Sequence, residues 1–385
     1  MSETQDRIRL KLARSTGFTL DVDLTLPAGG VTVLFGPSGC GKTTVLRSAA
    51  GLERAQGSVR IAGQLWQDDA QKIFVPAYAR RIGYVFQEAS LFDHLNVREN
   101  LNYGLKRIHD ENGQKRLEEA VELLGIGHLL DRRTSALSGG ERQRCAIARS
   151  LAVKPTALFM DEPLAALDHE RRLEIMPWIE RLKKELKLPI LYVTHSEEEV
   201  MRLADELAVI ELGQLVDSGP VAETWLRLMQ KKSGKAGRQV LVMGKVQERD
   251  AAWGLMRVAG GDMHFWVRDT GAAVGENVRL LVNADDVSLS VQKPSQTSIQ
   301  NVFACRITRI LEGGDPSRRV AEIEAGGTVI LAELTARAVH ELNLQPGMNV
   351  WAQVKTIAVH WAPSNKPSQG RRRRPLAFLG AKGRV

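Results

Sequence analysis

Apolar and polar residues alternate at the start of the chain. Arg7 to Lys11 and Thr19 to Leu26 keep a period of two and predict antiparallel strands with one buried face. Val31 to Phe35 (VTVLF) abandons the alternation for a continuous β-branched run, the pattern of a parallel strand buried on both sides. Val45 to Ala50 then opens a helix that Gly51 can stop. Arg54 to Gly63 reads as turn, strand and turn, and Arg81 to Gln87 (RIGYVFQ) as a short strand ending on a glutamine. From Val97 to Leu137 the apolar spacing becomes three and four, and strands return at Ala157 to Met160 and Ile190 to Thr194. Helices grouped between strands predict a helical lobe, about residues 90–155, inserted in an α/β region spanning 1–230. Periodicity fails over 231–238, a linker within MQKKSGKAGR. Short glycine-punctuated strands follow, with an internal echo. Gly275, Asn277, Val278, Val282 and Val287 recur 72 positions later as Gly347, Asn349, Val350, Val354 and Val359. Two similar β units are expected, 239–292 and 293–362, each a small barrel of the oligomer-binding type.

Composition narrows the function classes. A chain of 385 residues is too long for one core. No run of about 18 apolar residues is present to span a membrane, and MSETQDRIRL has no character of a secretion signal. Cys40, Cys145 and Cys305 are scattered without metal-ligand spacing, which predicts free thiols in a reducing compartment. Residues 363–385 hold seven of the cationic side chains and no acidic one, so the net +8 falls to +1 for the rest. A nearly neutral body argues against a duplex-binding face, and no nucleic-acid partner is expected. The basic tail reads as a disordered, solvated end.

The chemistry starts at Gly36-Pro37-Ser38-Gly39-Cys40-Gly41-Lys42-Thr43-Thr44, which matches G-x-x-x-x-G-K-[ST] between a strand and a helix. Its glycines let successive N–H groups turn toward one anion. Lys42 supplies a point charge for phosphates, Thr43 a hydroxyl for Mg²⁺, and the helix start a positive dipole end. Asp161 and Glu162 end a buried strand, where open α/β sheets bind ligands. One carboxylate can hold Mg²⁺ through water while the next orients an attacking water. His195 reaches the same edge, and Ser138, with Glu141 three residues on, has the spacing of a capping box.

These residues resemble the ATPase subunits of ATP-binding-cassette (ABC) transporters. The phosphate loop, Gln87, LSGGERQR, ALFMDEP, LAALD (Leu164 to Asp168) and His195 stand in that family's order. The resemblance implies a P-loop cassette with a RecA-like core and helical subdomain. It implies Mg²⁺ held by Thr43, Gln87 and Asp161, with Glu162 polarising the hydrolytic water and His195 contacting the γ-phosphate. Ser138, Gly139 and Gly140 would touch ATP held by a second copy, with Asp168 in the loop between the two. The family's adenine-stacking aromatic falls near Ala13, which cannot stack; Phe18 is the nearest ring, and adenine recognition stays open.

Gly83 to Leu101 resembles the segment of importer ATPases that meets a membrane-subunit helix. Two separate permease subunits and a peripheral place at the cytoplasmic face of the inner membrane are thereby implied. The C-terminal region resembles a TOBE/Mop-type domain through Thr297 to Val302 (TSIQNV) and Val354 to Val359 (VKTIAV). Such domains bind molybdate or tungstate, and the matching positions are Ser298, Asn301, Lys355 and Thr356; Gln300 stands where the family has arginine. Taken together the chain resembles the ATPase subunits of molybdate importers, which implies an extracytoplasmic molybdate-binding protein as an indirect partner. Sulfate, sugar, polyamine and ferric-iron importers share the same mechanism and form the alternative for the cargo.

Overall fold

The computed structural model describes residues 6–15, 17–107, 111–231, 238–312, 316–355 and 357–360. Thr356, most of the expected linker and the basic tail lie outside these residues. The chain divides into two compact units, one ending at Pro220 and one beginning at Val221.

The first unit opens with β1 (Arg7–Ala13) and β2 (Thr19–Thr25), which alternate buried and exposed positions and pair antiparallel. Next come β3 (Gly30–Phe35), α1 (Lys42–Ala49), β4 (Gln56–Ile61), β5 (Gln64–Asp68), β6 (Ile73–Phe74) and β7 (Ile82–Val85). The helical lobe follows as α2 (Val97–Leu105), α3 (Gly113–Leu123) and α4 (Gly139–Ala152). The unit closes with β8 (Ala157–Asp161), α5 (His169–Glu185), β9 (Pro189–Thr194), α6 (Glu197–Leu203), β10 (Glu206–Glu211) and β11 (Gln214–Pro220). Strands β10, β3, β9, β8 and β7 lie side by side and parallel, while β2, β1, β4, β5 and β6 form an antiparallel flank. β8 and β9 are buried at every position, as their largely apolar sequences require. Between the flank and the parallel core runs an apolar cluster that includes Ile8, Leu10, Leu34, Val45, Leu46 and Phe159. Because β3, β9, β8 and β7 are parallel neighbours, whatever follows each strand's C-terminus meets at one edge.

The second unit begins with α7 (Val221–Lys231), which falls within the span expected for the α/β region and packs on β12 (Gln239–Asp250). Trp225 is fully buried there and its Nε1 donates to the Gln239 carbonyl at 3.0 Å. The strands β13 (Leu255–Gly260), β14 (Met263–Arg268), β15 (Asn277–Asn283) and β16 (Val287–Ser290) follow. After them come β17 (Asn301–Glu312), β18 (Arg318–Ala325), β19 (Thr328–Thr335), α8 (Ala336–Glu341), β20 (Asn349–Val354) and β21 (Ala358–His360). They build two five-stranded antiparallel sheets, ordered β14-β13-β12-β15-β21 and β16-β20-β17-β18-β19.

The internal echo has a structural counterpart. Gly275 donates to the Val246 carbonyl at 2.8 Å and Gly347 to that of Ile307 at 2.7 Å, with φ of 88° and 90°. Each long strand carries a bulge just past that contact, between Val246 and Glu248 and between Ile307 and Arg309. The sheets do not follow the expected division near residue 292. β16, from the first repeat, pairs with β20, and β21, from the second, pairs with β15. A short strand leaving a sheet edge pairs with whichever open edge it reaches, and here that edge belongs to the other repeat.

Candidate active site

The parallel topology aligns the sequence motifs. The phosphate loop follows β3, His195 follows β9, Asp161 ends β8 with Glu162 next, and Gln87 lies exposed two residues past β7. The register pairs Phe35 with Thr194 and Asp161 with Val193, so these ends are level.

The loop crest, Pro37 to Gly39, is exposed, and Lys42 is 3% exposed beneath it. Lys42 Nζ donates to the carbonyls of Gly36 and Pro37, both at 2.8 Å, and lies 3.8 Å from Glu162 Oε1. Glycine is needed at Gly36, where a Cβ would lie 2.1 Å from the Ile210 carbonyl. At Gly41 φ is 108° and a Cβ would press on the Phe18 ring at 3.0 Å. Phe18 is half-buried against the core beside the loop, with the Arg14 guanidinium 5.5 Å from its ring centre.

Asp161 is 6% exposed and receives a hydroxyl on each oxygen, Thr43 Oγ1 on Oδ1 at 2.7 Å and Tyr84 on Oδ2 at 3.2 Å. Burial raises its pKa above the usual carboxylate range, and the two hydroxyls oppose that rise. Burial beside Asp161 also pushes the Tyr84 phenol far up, so it stays a donor. The Thr43 hydroxyl, the Asp161 carboxylate and the Gln87 amide oxygen are hard oxygen donors, the kind Mg²⁺ takes. Among the described residues no three His, Cys, Asp or Glu side chains cluster to cage a metal. One carboxylate with neutral oxygen donors fits an Mg²⁺ that arrives with a nucleotide and keeps water and phosphate oxygens in its shell.

Glu162 holds a left-handed backbone at φ 42°, with its N–H donating to Val193 O at 3.1 Å. Its carboxylate lies 3.3 Å from His195 Nδ1. Three residues before His195, the fully buried Tyr192 donates to Glu199 Oε2 at 2.8 Å, and Glu199 is itself 3% exposed. Tyr84, Tyr192 and Glu199 were not singled out by motif. The available signal was a polar-tipped aromatic in a buried strand, which needs a partner for its hydroxyl.

Ser138 caps α4 as expected: its Oγ accepts from Glu141 N at 3.3 Å, and Glu141 Oε2 accepts from Ser138 N at 2.8 Å. That backbone hydrogen bond, first of several contacts, lowers the Glu141 pKa. Ser138 is exposed, whereas Gly139 and Gly140 seat against Leu167 and Ile175, where a Cβ would come within 2.8 and 3.1 Å. Asp168 caps α5, accepting from Arg171 N at 2.9 Å.

In the second unit, pairing of Asn301 with Val354 brings the segment before Asn301 and Lys355 to one end of the β17–β20 pair. Ser298 and Lys355 are exposed there. Asn301 is 5% exposed and its amide is spent on backbone, accepting from Trp266 N at 2.7 Å and donating to Trp266 O at 3.0 Å.

A model of the ABC transporter family matches residues 19–165, and a TOBE domain model matches residues 297–361. The molybdenum import ATP-binding protein ModC of Thiobacillus denitrificans is 49% identical over 344 residues, covering 89% of this chain and 94% of the relative. The chain belongs to the ModC family of molybdenum import ATP-binding proteins. The ModC of Methylococcus capsulatus is 50% identical over 89% of this chain and 96% of its own, and that of Pseudomonas aeruginosa 45% over 92% and 99%. Among solved structures, cbiO1 from Clostridium perfringens, part of the ABC transporter complex cbiONQ, is 28% identical with a TM-score of 0.51. It covers 59% of this chain and 94% of its own. Membership makes the first unit an ATP-binding, ATP-hydrolysing cassette followed by an all-β TOBE region.

Proposed function

We propose that this chain hydrolyses ATP to energise molybdate import, with tungstate as the chemical neighbour, through a separate membrane permease. The observation that carries the chemistry is the meeting of Lys42, Thr43, Asp161, Glu162 and His195 at one sheet edge. The names of the ModC relatives support the cargo.

In this reading Lys42 exchanges the Gly36 and Pro37 carbonyls for the phosphates of ATP, which also receive the N–H groups of the phosphate loop. Mg²⁺, held by Thr43, Gln87 and Asp161, would neutralise charge on the phosphate oxygens. Glu162 orients the attacking water and draws its proton, while His195, 3.3 Å from Glu162, would contact the terminal phosphate. Ser138 heads a helix N-terminus that offers N–H donors to an anion, yet its own chain already has a phosphate site. A second copy supplies the phosphate for it, so the working ATPase is a homodimer that places Asp168 in the loop between the two.

The dimer works with two permease subunits, and with an extracytoplasmic molybdate-binding protein upstream of them. Among the described residues no helix is long and apolar enough to cross a membrane. The chain would then sit peripherally at the cytoplasmic face of the inner membrane. In the TOBE region, Ser298 and Lys355 would meet the oxyanion, with Asn301 tying the start of β17 to Trp266. Thr356 completes the proposed donor set.

The test is purification with the permease, reconstitution into vesicles and elemental analysis of the lumen after addition of ATP. Molybdenum should accumulate only with hydrolysable nucleotide. ATP turnover with no accumulation of molybdenum or tungsten would leave the ATPase standing and overturn the cargo.

A further inference from the structure

We propose that Tyr84 is a positioning residue for the Asp161 carboxylate, and through it sets how tightly the cassette takes up magnesium with its nucleotide. The inference rests on the assignment of Asp161 to the metal given above. An aspartate's terminal torsion is a broad two-fold rotor with no steep wells, so neighbouring hydrogen bonds decide its orientation. Here each oxygen receives one hydroxyl, Thr43 on one side at 2.7 Å and Tyr84 on the other at 3.2 Å. Two donors, one on each oxygen, fix the carboxylate plane. A carboxylate has about four lone-pair sites, so about two remain for metal-bound water.

The Tyr84 hydroxyl is itself held in place. Its ring centre lies 4.4 Å from that of Phe86 and 6.5 Å from that of Phe159, which stands edge-on. The parallel register of β7 and β8 puts Tyr84 beside Phe159, two residues before the aspartate. Glycine precedes it for a reason of space: a Cβ on Gly83 would lie 2.9 Å from the Ser150 carbonyl of α4. Tyr84 thus stands on a strand pressed against two elements, an arrangement suited to aiming one oxygen. Packing alone would be served equally by phenylalanine. The hydroxyl needs a further role, and the carboxylate is its partner.

The experiment titrates magnesium against the fluorescence of a non-hydrolysable mant-labelled ATP analogue bound to the full chain. Tyr84→Phe should raise the magnesium midpoint about three- to tenfold, the size of one ordinary hydrogen bond. Affinity for the metal-free nucleotide and the melting temperature should stay at wild-type values. An unchanged midpoint, or an equal loss of metal-free affinity, would overturn the role. Should the phenylalanine variant fold poorly, Tyr84→Met also lacks a donor, repacks flexibly and gives the same readout. Asp161→Asn separates this inference from its premise. If Asp161→Asn leaves the midpoint in place, the metal assignment itself fails. If Asp161→Asn shifts it and Tyr84→Phe does not, only the role of Tyr84 falls.

Discussion

Glu162 carries the cost of the site in its own backbone. A left-handed φ of 42° is unfavourable by about 1–2 kcal/mol for a residue with a Cβ, and Pro163 follows. The N–H bond to Val193 and the carbonyl bond from Ala165 hold it there, which keeps the carboxylate against His195. Glu162→Gln preserves shape and removes the base. Turnover should fall about 10²- to 10⁴-fold with nucleotide binding retained, measured as phosphate release and mant-nucleotide fluorescence. Glu199 gives a second outcome at this scale. Burial raises its pKa in the folded state, so its contribution to stability is full below the ordinary carboxylate pKa and is lost as pH rises through the folded value. Glutamine does not titrate. The melting temperature of Glu199→Gln minus that of wild type should therefore increase as pH rises from about 4.3. A difference that stays flat from pH 4 to 8 would show that Glu199 keeps its unfolded pKa. Lys42, Thr43, Asp161, Glu162 and His195 were legible because each sits at a motif's fixed offset from a strand. Tyr84 and Glu199 were not, since their partners come from elements that only the fold brings together.

At the scale of elements, periodicity recovered the strands whose faces are plainly divided, β1 and β2, and those buried throughout, β8 and β9. The bound expected near residue 230 leaves α7 with the α/β region, whereas the helix packs on β12. An amphipathic helix announces that it has an apolar face, and nothing local says which unit receives it. Trp225 settles the matter by burying its indole against β12. Trp225→Ala should cost about 3–5 kcal/mol, read as an earlier unfolding transition of the β region in urea. The α4 start separates two roles of one residue. Ser138→Ala removes a cap, about 1 kcal/mol of stability. Ser138→Arg should in addition abolish the ATP-dependent dimer that Glu162→Gln accumulates, followed by sedimentation with Mg²⁺ and ATP. Dimers of equal amount in both would remove Ser138 from the nucleotide sandwich.

At the scale of the whole chain, the first unit's organisation follows from one rule, that parallel strands deliver their C-terminal loops to one edge. The second unit obeys a rule that the sequence echo does not contain. Its two repeats share a strand, a glycine turn and a bulge, which periodicity can register. Which edge the fifth strand joins depends on distance in space, and the exchange of β16 and β21 makes the repeats interdependent. Phe265 and Phe303, one from each sheet, meet with ring centres 4.9 Å apart, and Asn301 bonds the backbone of Trp266 from the other sheet. A fragment spanning 221–292 would lose β21 from the edge of β15 and leave β16 without a sheet. It would also expose the apolar faces that the second repeat covers. Such a fragment should show no cooperative urea transition, whereas 221–362 should unfold in one step. Adding 293–362 in trans should restore the transition, because both exchanged strands then regain their edges. A cooperative transition of 221–292 alone would show that the first repeat is stable without its partner.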